Sequence, residues 1–344
     1  MQKNGLDAVF ITGLTGIRYY SGFTSEDAYL IITADKAYLL TDFRYTIQAK
    51  EQSPDFTLVE VGRGALMSTL QELFAGAGAK NVGFDEQAMT VADHTKYLTL
   101  GVTLVPFSEQ LHSPRLYKSE EEAESLQKAQ QIADKAYAEL LKRISSGMTE
   151  KEVAAELDYI GARLGSEGPS FETIVGSGPN GAMCHAVPGD RRLTKGDLVV
   201  VDFGCIYNGY HSDMTRTFAV GEADDLSRYV YDTVLTAQEA ALAALRDGIS
   251  GSMLHNIALG VIESAGYGKC FGHGLGHGFG LRIHEAPGAS PLSKDILKAG
   301  MTITVEPGIY LEGKLGVRIE DCCLVTEDGC RNFVSSPKEL LFIQ

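Results

Sequence analysis

Phe271-Gly272-His273-Gly274-Leu275-Gly276-His277-Gly278-Phe279-Gly280-Leu281-Arg282-Ile283-His284-Glu285 carries a glycine at every second position from 272 to 280 and three histidines among them. A glycine inside a helix costs about 1 kcal/mol relative to alanine, so this density argues against a helix. A helical pair of zinc-ligating histidines is excluded with it, and the glutamate of an H-E-x-x-H motif is also absent. A phosphate-binding loop fails as well, because the positions five after Gly272 and Gly274 hold His277 and Phe279. Extended backbone is the reading that remains. Side chains alternate along a strand, so His273 and His277 are expected on one face, with His284 on the other unless the strand bends. Glycines let a neighbouring backbone approach closely, as a crowded site requires. A lone histidine is usually satisfied packing, but three within this stretch point to ligation or catalysis.

Acids flank this stretch on both sides. Upstream, Leu198-Val199-Val200-Val201-Asp202-Phe203-Gly204 reads as a strand ending in an acid, followed by Asn208-Gly209, a strong hairpin signal. With those two residues as the turn, Tyr207 pairs with Tyr210 and Gly204 with Asp213. Asp202 and Asp213 then become diagonal neighbours on one face, about 7–8 Å apart at Cα. Two carboxylates so placed repel unless a cation lies between them; the plain alternative is two ordinary surface acids on a hairpin. Downstream, Met301 to Glu306 reads as a strand ending in Glu306-Pro307-Gly308, and a second strand beginning at Gly316 carries Glu320. The irregular Pro-Gly connection leaves their register open.

The rest of the chain frames this region. Its 344 residues suggest about two domains, and 44% hydrophobic content supplies a full core. The net charge of −15 argues against nucleic acid or an anionic membrane as a partner, since both select basic surfaces. The six cysteines include no C-x-x-C pair and read as reduced thiols of a cytoplasmic protein. The N-terminus shows no signal-peptide pattern, and no apolar run approaches the roughly 18 residues of a membrane span.

The first third alternates strand-like runs (Ala8 to Thr12, Ala28 to Thr33, Ala37 to Thr41, Thr57 to Val61, Asn81 to Phe84) with helical stretches at Phe43 to Gln52 and Gly64 to Gly76. That pattern predicts an α/β domain. The absence of G-x-G-x-x-G after the first strand removes support for a dinucleotide site. A break follows near Pro106 to Pro114. Ser119 with Glu122, and Thr149 with Glu152, then offer capping boxes for helices running to about Arg143 and Gly165. Further helices are expected at about 225–246 and 251–265. The boundary falls within 112–120, giving an N-terminal domain of 1–115 and a C-terminal domain of 116–344.

Taken together, these motifs resemble the creatinase and methionine aminopeptidase family of pita-bread metallopeptidases, most closely its proline-specific branch of Xaa-Pro aminopeptidases and Xaa-Pro dipeptidases (prolidases). The resemblance spans essentially the whole chain and is most specific over residues 176–325. Gly176-Ser177-Gly178-Pro179-Asn180 with His185-Ala186 resembles the family's substrate-binding loop. Asp202, Asp213, His277, Glu306 in Val-Glu-Pro-Gly, and Glu320 match its metal ligands, and His284 follows His277 at the family's spacing of seven.

The resemblance implies a small N-terminal α/β domain followed by a pseudo-twofold C-terminal domain of mixed helix and sheet. It also implies two divalent metal ions per chain. An oxygen-rich ligand set favours manganese, with cobalt or zinc as substitutes. By the same resemblance Asp213 and Glu320 bridge the ions, Asp202 belongs to one, and His277 and Glu306 belong to the other. Hydrolysis of the Xaa-Pro bond by metal-activated hydroxide follows, with His185, His284 and Glu306 catalytic and His185, His273 and His284 holding the peptide substrate. A homodimer is implied too. Two residues depart from the pattern. Phe279 replaces an aliphatic residue, and Gly288 stands where several prolidases carry arginine, which favours an aminopeptidase over a dipeptidase. A metal-free creatinase-like hydrolase, or a non-catalytic binding homologue, would be expected to lack ligands that are all present here.

Overall fold

The computed structural model describes residues 2–344 and divides into two compact units, one ending at Pro114 and one spanning Arg115–Gln344. The first is built on a six-stranded mixed sheet. Its strands are β1 (Ala8–Ile11), β2 (Ala28–Thr33), β3 (Ala37–Thr41), β4 (Thr57–Glu60), β5 (Asn81–Phe84) and β6 (Thr103–Pro106), in the order β4-β3-β2-β1-β5-β6. Alternation along β1 sends Val9 and Ile11 to one face and Ala8 and Phe10 to the other, and both faces are buried. The helices α1 (Leu14–Ser21), α2 (Thr46–Gln52) and α5 (Ser108–His112) supply Ile17, Ala49 and Leu111 to the first face. On the other face, α3 (Leu66–Gly76) and α4 (Val91–Tyr97) contribute Leu70, Phe74 and Tyr97. Burial on both sides explains why these strands read as unbroken apolar runs.

The second unit begins with α6 (Glu120–Leu140) and α7 (Glu150–Arg163), each opened by the expected capping box, Ser119 with Glu122 and Thr149 with Glu152. Such a cap contributes about 1 kcal/mol to a helix. The strands that follow are β7 (Ile174–Ser177), β8 (Leu198–Phe203), β9 (Ile206–Tyr207), β10 (Tyr210–His211) and β11 (Met214–Val220). Next come α8 (Asp225–Ala244) and α9 (Gly251–Ser264), then β12 (Gly276–Gly278), β13 (Glu285–Ala289), β14 (Thr302–Val305), β15 (Gly308–Leu311), β16 (Leu315–Arg318), β17 (Asp321–Val325), β18 (Cys330–Asn332) and β19 (Leu341–Ile343).

The unit is layered in two halves. In one, Ala133, Tyr137 and Leu140 of α6 and Val153 and Leu157 of α7 pack on Val199 and Val201 of β8 and Phe218 of β11. In the other, Val230, Val234 and Ala241 of α8 and Leu254 and Ile262 of α9 pack on Ile303, Val305, Val317 and Cys323. The halves are stitched where β11 meets the end of β16. Thr217 Oγ1 donates to the Arg318 carbonyl at 2.9 Å, and the Glu320 amide donates to the Thr215 carbonyl at 3.1 Å. The acids expected to carry chemistry lie along this seam. The six cysteines are free thiols, and no helix among the described residues is long and apolar enough to cross a membrane.

Candidate active site

The aspartates arrive on the hairpin as their spacing requires. Asn208 (φ 49°) and Gly209 (φ 71°) form the turn, the left-handed pair that a tight hairpin needs. Tyr207 pairs with Tyr210 and Ile206 with His211, and the same register resumes at Phe203 with Met214 and Asp202 with Thr215. Asp202 and Asp213 are therefore diagonal neighbours, and both are buried.

The glycine–histidine stretch corrects one expectation. It is not a single strand. Only Gly276–Gly278 is extended, paired with β13, and the chain turns back over 279–284. The Gly280 amide donates to the Arg282 carbonyl at 3.0 Å, and the Arg282 amide donates to the Glu285 carboxylate at 2.8 Å. Glu285 is fixed by the buried side chain of Arg115, with Lys118 3.8 Å from its other oxygen. This capped turn swings His284 back beside His277, ring centroids 4.3 Å apart, rather than onto the opposite face. The alternate glycines do serve close approach. A Cβ on Gly276 would lie 1.9 Å from the Thr304 carbonyl oxygen, so β12 can lie against β14 only because that side chain is missing.

Thr304 also ties the two strands together, accepting from the His277 amide at 3.1 Å while its hydroxyl donates to Glu306 at 3.3 Å. Glu320 follows β16 and accepts from Thr215 Oγ1 at 2.7 Å. One ligand atom from each of Asp213, His277 and Glu320 lies within 4.8 Å of the others. Glu306 Oε1 and Asp213 Oδ2 each stand 3.5 Å from His277 Nε2. Asp202 Oδ2 is held by Arg318 at 2.6 Å, and its buried Oδ1 has no partner among the described residues.

The electrostatics of this group call for a cation. Burial raises the Asp213 carboxyl well above the usual range, with Glu320, Asp202 and Glu306 adding repulsion. Glu320 is raised by burial and then by Glu306 and Asp202. Burial pushes Glu306 to about 8 despite the nearby Arg318. Burial also lowers His277 to about 4, which leaves it neutral. Its Nδ1 lies 3.1 Å from the Gly278 carbonyl and so carries the proton. The Nε2 lone pair therefore faces one oxygen of Asp213 and one of Glu306, each 3.5 Å away. Lone pairs converging on one point, beside an orphaned carboxylate oxygen, fit a divalent cation.

All eight residues singled out in the sequence (Asp202, Asp213, His277, Glu306, Glu320, His185, His273 and His284) line one cavity of about 670 Å³. His273 is bound at both nitrogens. Nδ1 donates to the Gly274 carbonyl at 2.7 Å, and Nε2 accepts from the Tyr310 hydroxyl at 2.9 Å, which itself accepts from Arg318 Nη1 at 2.8 Å. His273 thus sits at the end of a relay that steadies Arg318 and, through it, Asp202. Tyr310 was not singled out from the sequence, and Arg318 had no role there; only the folded β15–β16 hairpin joins them.

His185 sits on a loop whose two feet share one anchor. The buried Glu150 carboxylate accepts from the Ser177 amide at 2.8 Å, the Ser177 hydroxyl at 2.6 Å, Asn180 Nδ2 at 3.1 Å and the Gly189 amide at 3.0 Å. Phe279 packs against Phe333 in the core and does not line the cavity. Gly288 pairs with His277 across the β12–β13 ladder.

Residues 124–327 match the model of metallopeptidase family M24, and residues 1–117 match the creatinase/prolidase N-terminal domain. The chain belongs to metallopeptidase family M24. It is 41% identical to the peptidase YqhT of Bacillus subtilis, covering 98% of this chain and 96% of that one. Identity to the Xaa-Pro dipeptidase of Pyrococcus furiosus is 36%, over 99% and 97% of the two chains. The X-Pro aminopeptidase structure from Thermotoga maritima superposes with a TM-score of 0.95 at 35% identity, covering 98% of each chain. Membership in this family makes the protein a metallopeptidase of pita-bread fold with a creatinase-type N-terminal domain, and the acid cluster on the seam is the part of this M24 chain suited to divalent metal.

Proposed function

We propose that this M24 enzyme binds two divalent ions and releases the first residue from peptides with proline in second place. The observation that carries the reading is the convergence of the His277 Nε2 lone pair and the Asp213, Glu306 and Glu320 carboxylates beside the orphaned Asp202 oxygen. By the family resemblance, Asp202, Asp213, His277, Glu306 and Glu320 would hold the ions. Four carboxylates and one imidazole suit manganese, with cobalt or zinc as substitutes. When bound, the ions supply a nucleophilic water at neutral pH and polarise the scissile carbonyl. Glu306 would take up a proton during attack and deliver it to the departing amine. His284 and His185 donate to the carbonyl oxygen as it gains charge.

The preference for proline rests on likeness to the Pyrococcus and Thermotoga enzymes. The preference for chains longer than two residues rests on charge. A dipeptide presents a carboxylate beside the scissile bond, which calls for a cationic partner. Among the described residues lining the cavity, Arg318 alone carries a guanidinium, and it is committed to Asp202, Thr215, Cys184 and Tyr310. Gly288 offers no side chain, Lys294 is exposed, and Lys298 is bonded to Asp247. The expected kcat/KM on Ala-Pro-Ala exceeds that on Ala-Pro by about tenfold, the worth of one weakly paired charge (~1.4 kcal/mol). A clear preference for Ala-Pro would move the enzyme to the second reading, an Xaa-Pro dipeptidase, which the Pyrococcus relative favours. By the family resemblance the working form is a homodimer, and the free cysteines suit the cytoplasm; sedimentation as a 37.1 kDa monomer at micromolar concentration would contradict the dimer.

A further inference from the structure

We propose that Glu172 makes this peptidase selective for a positively charged first residue, lysine or arginine, in its substrate; the inference rests on the aminopeptidase reading above. Glu172 lines the cavity, is exposed, and has no hydrogen-bond or ion-pair partner among the described residues. The other four lining carboxylates are those proposed to hold the cations, and the one lining guanidinium is bound to Asp202. Among the described residues, Glu172 is therefore the one uncommitted charge lining the cavity.

Its backbone is fixed on both sides. Ser170 Oγ donates to the Cys205 carbonyl at 3.0 Å, Thr173 Oγ1 donates to Asp158 at 2.6 Å, and Ile174 enters β7 directly opposite Asp202. The carboxylate thus stands two residues along from a position in register with the acid cluster. Phe171, Ile174, Val187 and Pro188 supply apolar wall to the same cavity. A lysine or arginine side chain matches this arrangement, with its methylene stem on the apolar wall and its charged head at the exposed carboxylate. An acidic first residue meets repulsion at the same place.

The test compares kcat/KM for Lys-Pro-Ala, Glu-Pro-Ala and Ala-Pro-Lys in the wild type and in Glu172→Gln, at low and high salt. For an exposed charge each effect is a few-fold, so the wild type is expected to favour Lys-Pro-Ala over Glu-Pro-Ala by about tenfold. The variant should lower kcat/KM on the lysine peptide and raise it on the glutamate peptide. Added salt should narrow the wild-type ratio, as screening requires. A general loss of activity from a disturbed site would move both peptides the same way. An unchanged ratio in the variant, or an effect that follows lysine at the third position instead of the first, overturns the proposal. If the wild type cleaves none of the three, the aminopeptidase reading itself fails.

Discussion

Asp213→Ala is expected to abolish hydrolysis, lowering kcat/KM by about 10⁴-fold or more, and to remove at least one metal equivalent per chain. The expected size follows from what metal chemistry supplies, a water activated at neutral pH and a polarised carbonyl, both lost together. Asp213 is buried and sits at the centre of the group, 3.5 Å from His277 Nε2 and within reach of Glu320. The same variant should leave the metal-free protein as stable as the wild type, or more so. Burial and the three neighbouring carboxylates all disfavour the charged form of Asp213, so removing it relieves repulsion while destroying the site, the usual opposition between stability and function. Thermal denaturation of the metal-free variant and wild type checks this arm. A large loss of stability would mean that Asp213 serves the fold.

His284→Ala is expected to lower kcat by about 10²-fold, the effect of losing one oxyanion donor, while both metals stay bound. Two imidazoles lie side by side here, and their surroundings separate their roles. His277 points Nε2 at two carboxylates, each 3.5 Å away, and is lowered to about 4 by burial. His284 is exposed on the turn, and no metal-ligating cluster among the described residues includes it. Metal content measured on the variant decides between them. If His284→Ala empties the site, the roles of His277 and His284 must be exchanged.

Much of this architecture was legible along the chain, for reasons that differ by element. The N-terminal strands announced themselves because both faces of the sheet are buried. The aspartate hairpin could be registered to the residue because Asn208-Gly209 admits few turn geometries. Short elements were missed. The α1 helix contains Gly16 and Thr15, and β6 ends on Pro106, so local propensity spoke against both. The sequence leaves a bend over 279–284 open but cannot place it, for a deeper reason. Alternating glycine says that the backbone is permissive but not which way it goes; the direction is set by Glu285 and its pairing with Arg115, 170 residues away in sequence. The Arg318–Tyr310–His273 relay and the Glu150 anchor were invisible for the same cause. Each is an ordinary polar residue until the fold gathers its partners.

The proposed dinuclear centre makes hydrolysis depend on cations held by the buried acids of the seam. Elemental analysis of the purified protein, paired with release of alanine from Ala-Pro-Ala before and after chelation, tests it most directly. Two equivalents of divalent metal per chain are expected in the active enzyme, with loss of hydrolysis on adding chelator and recovery on adding manganese. A fully active preparation containing no bound metal would contradict it.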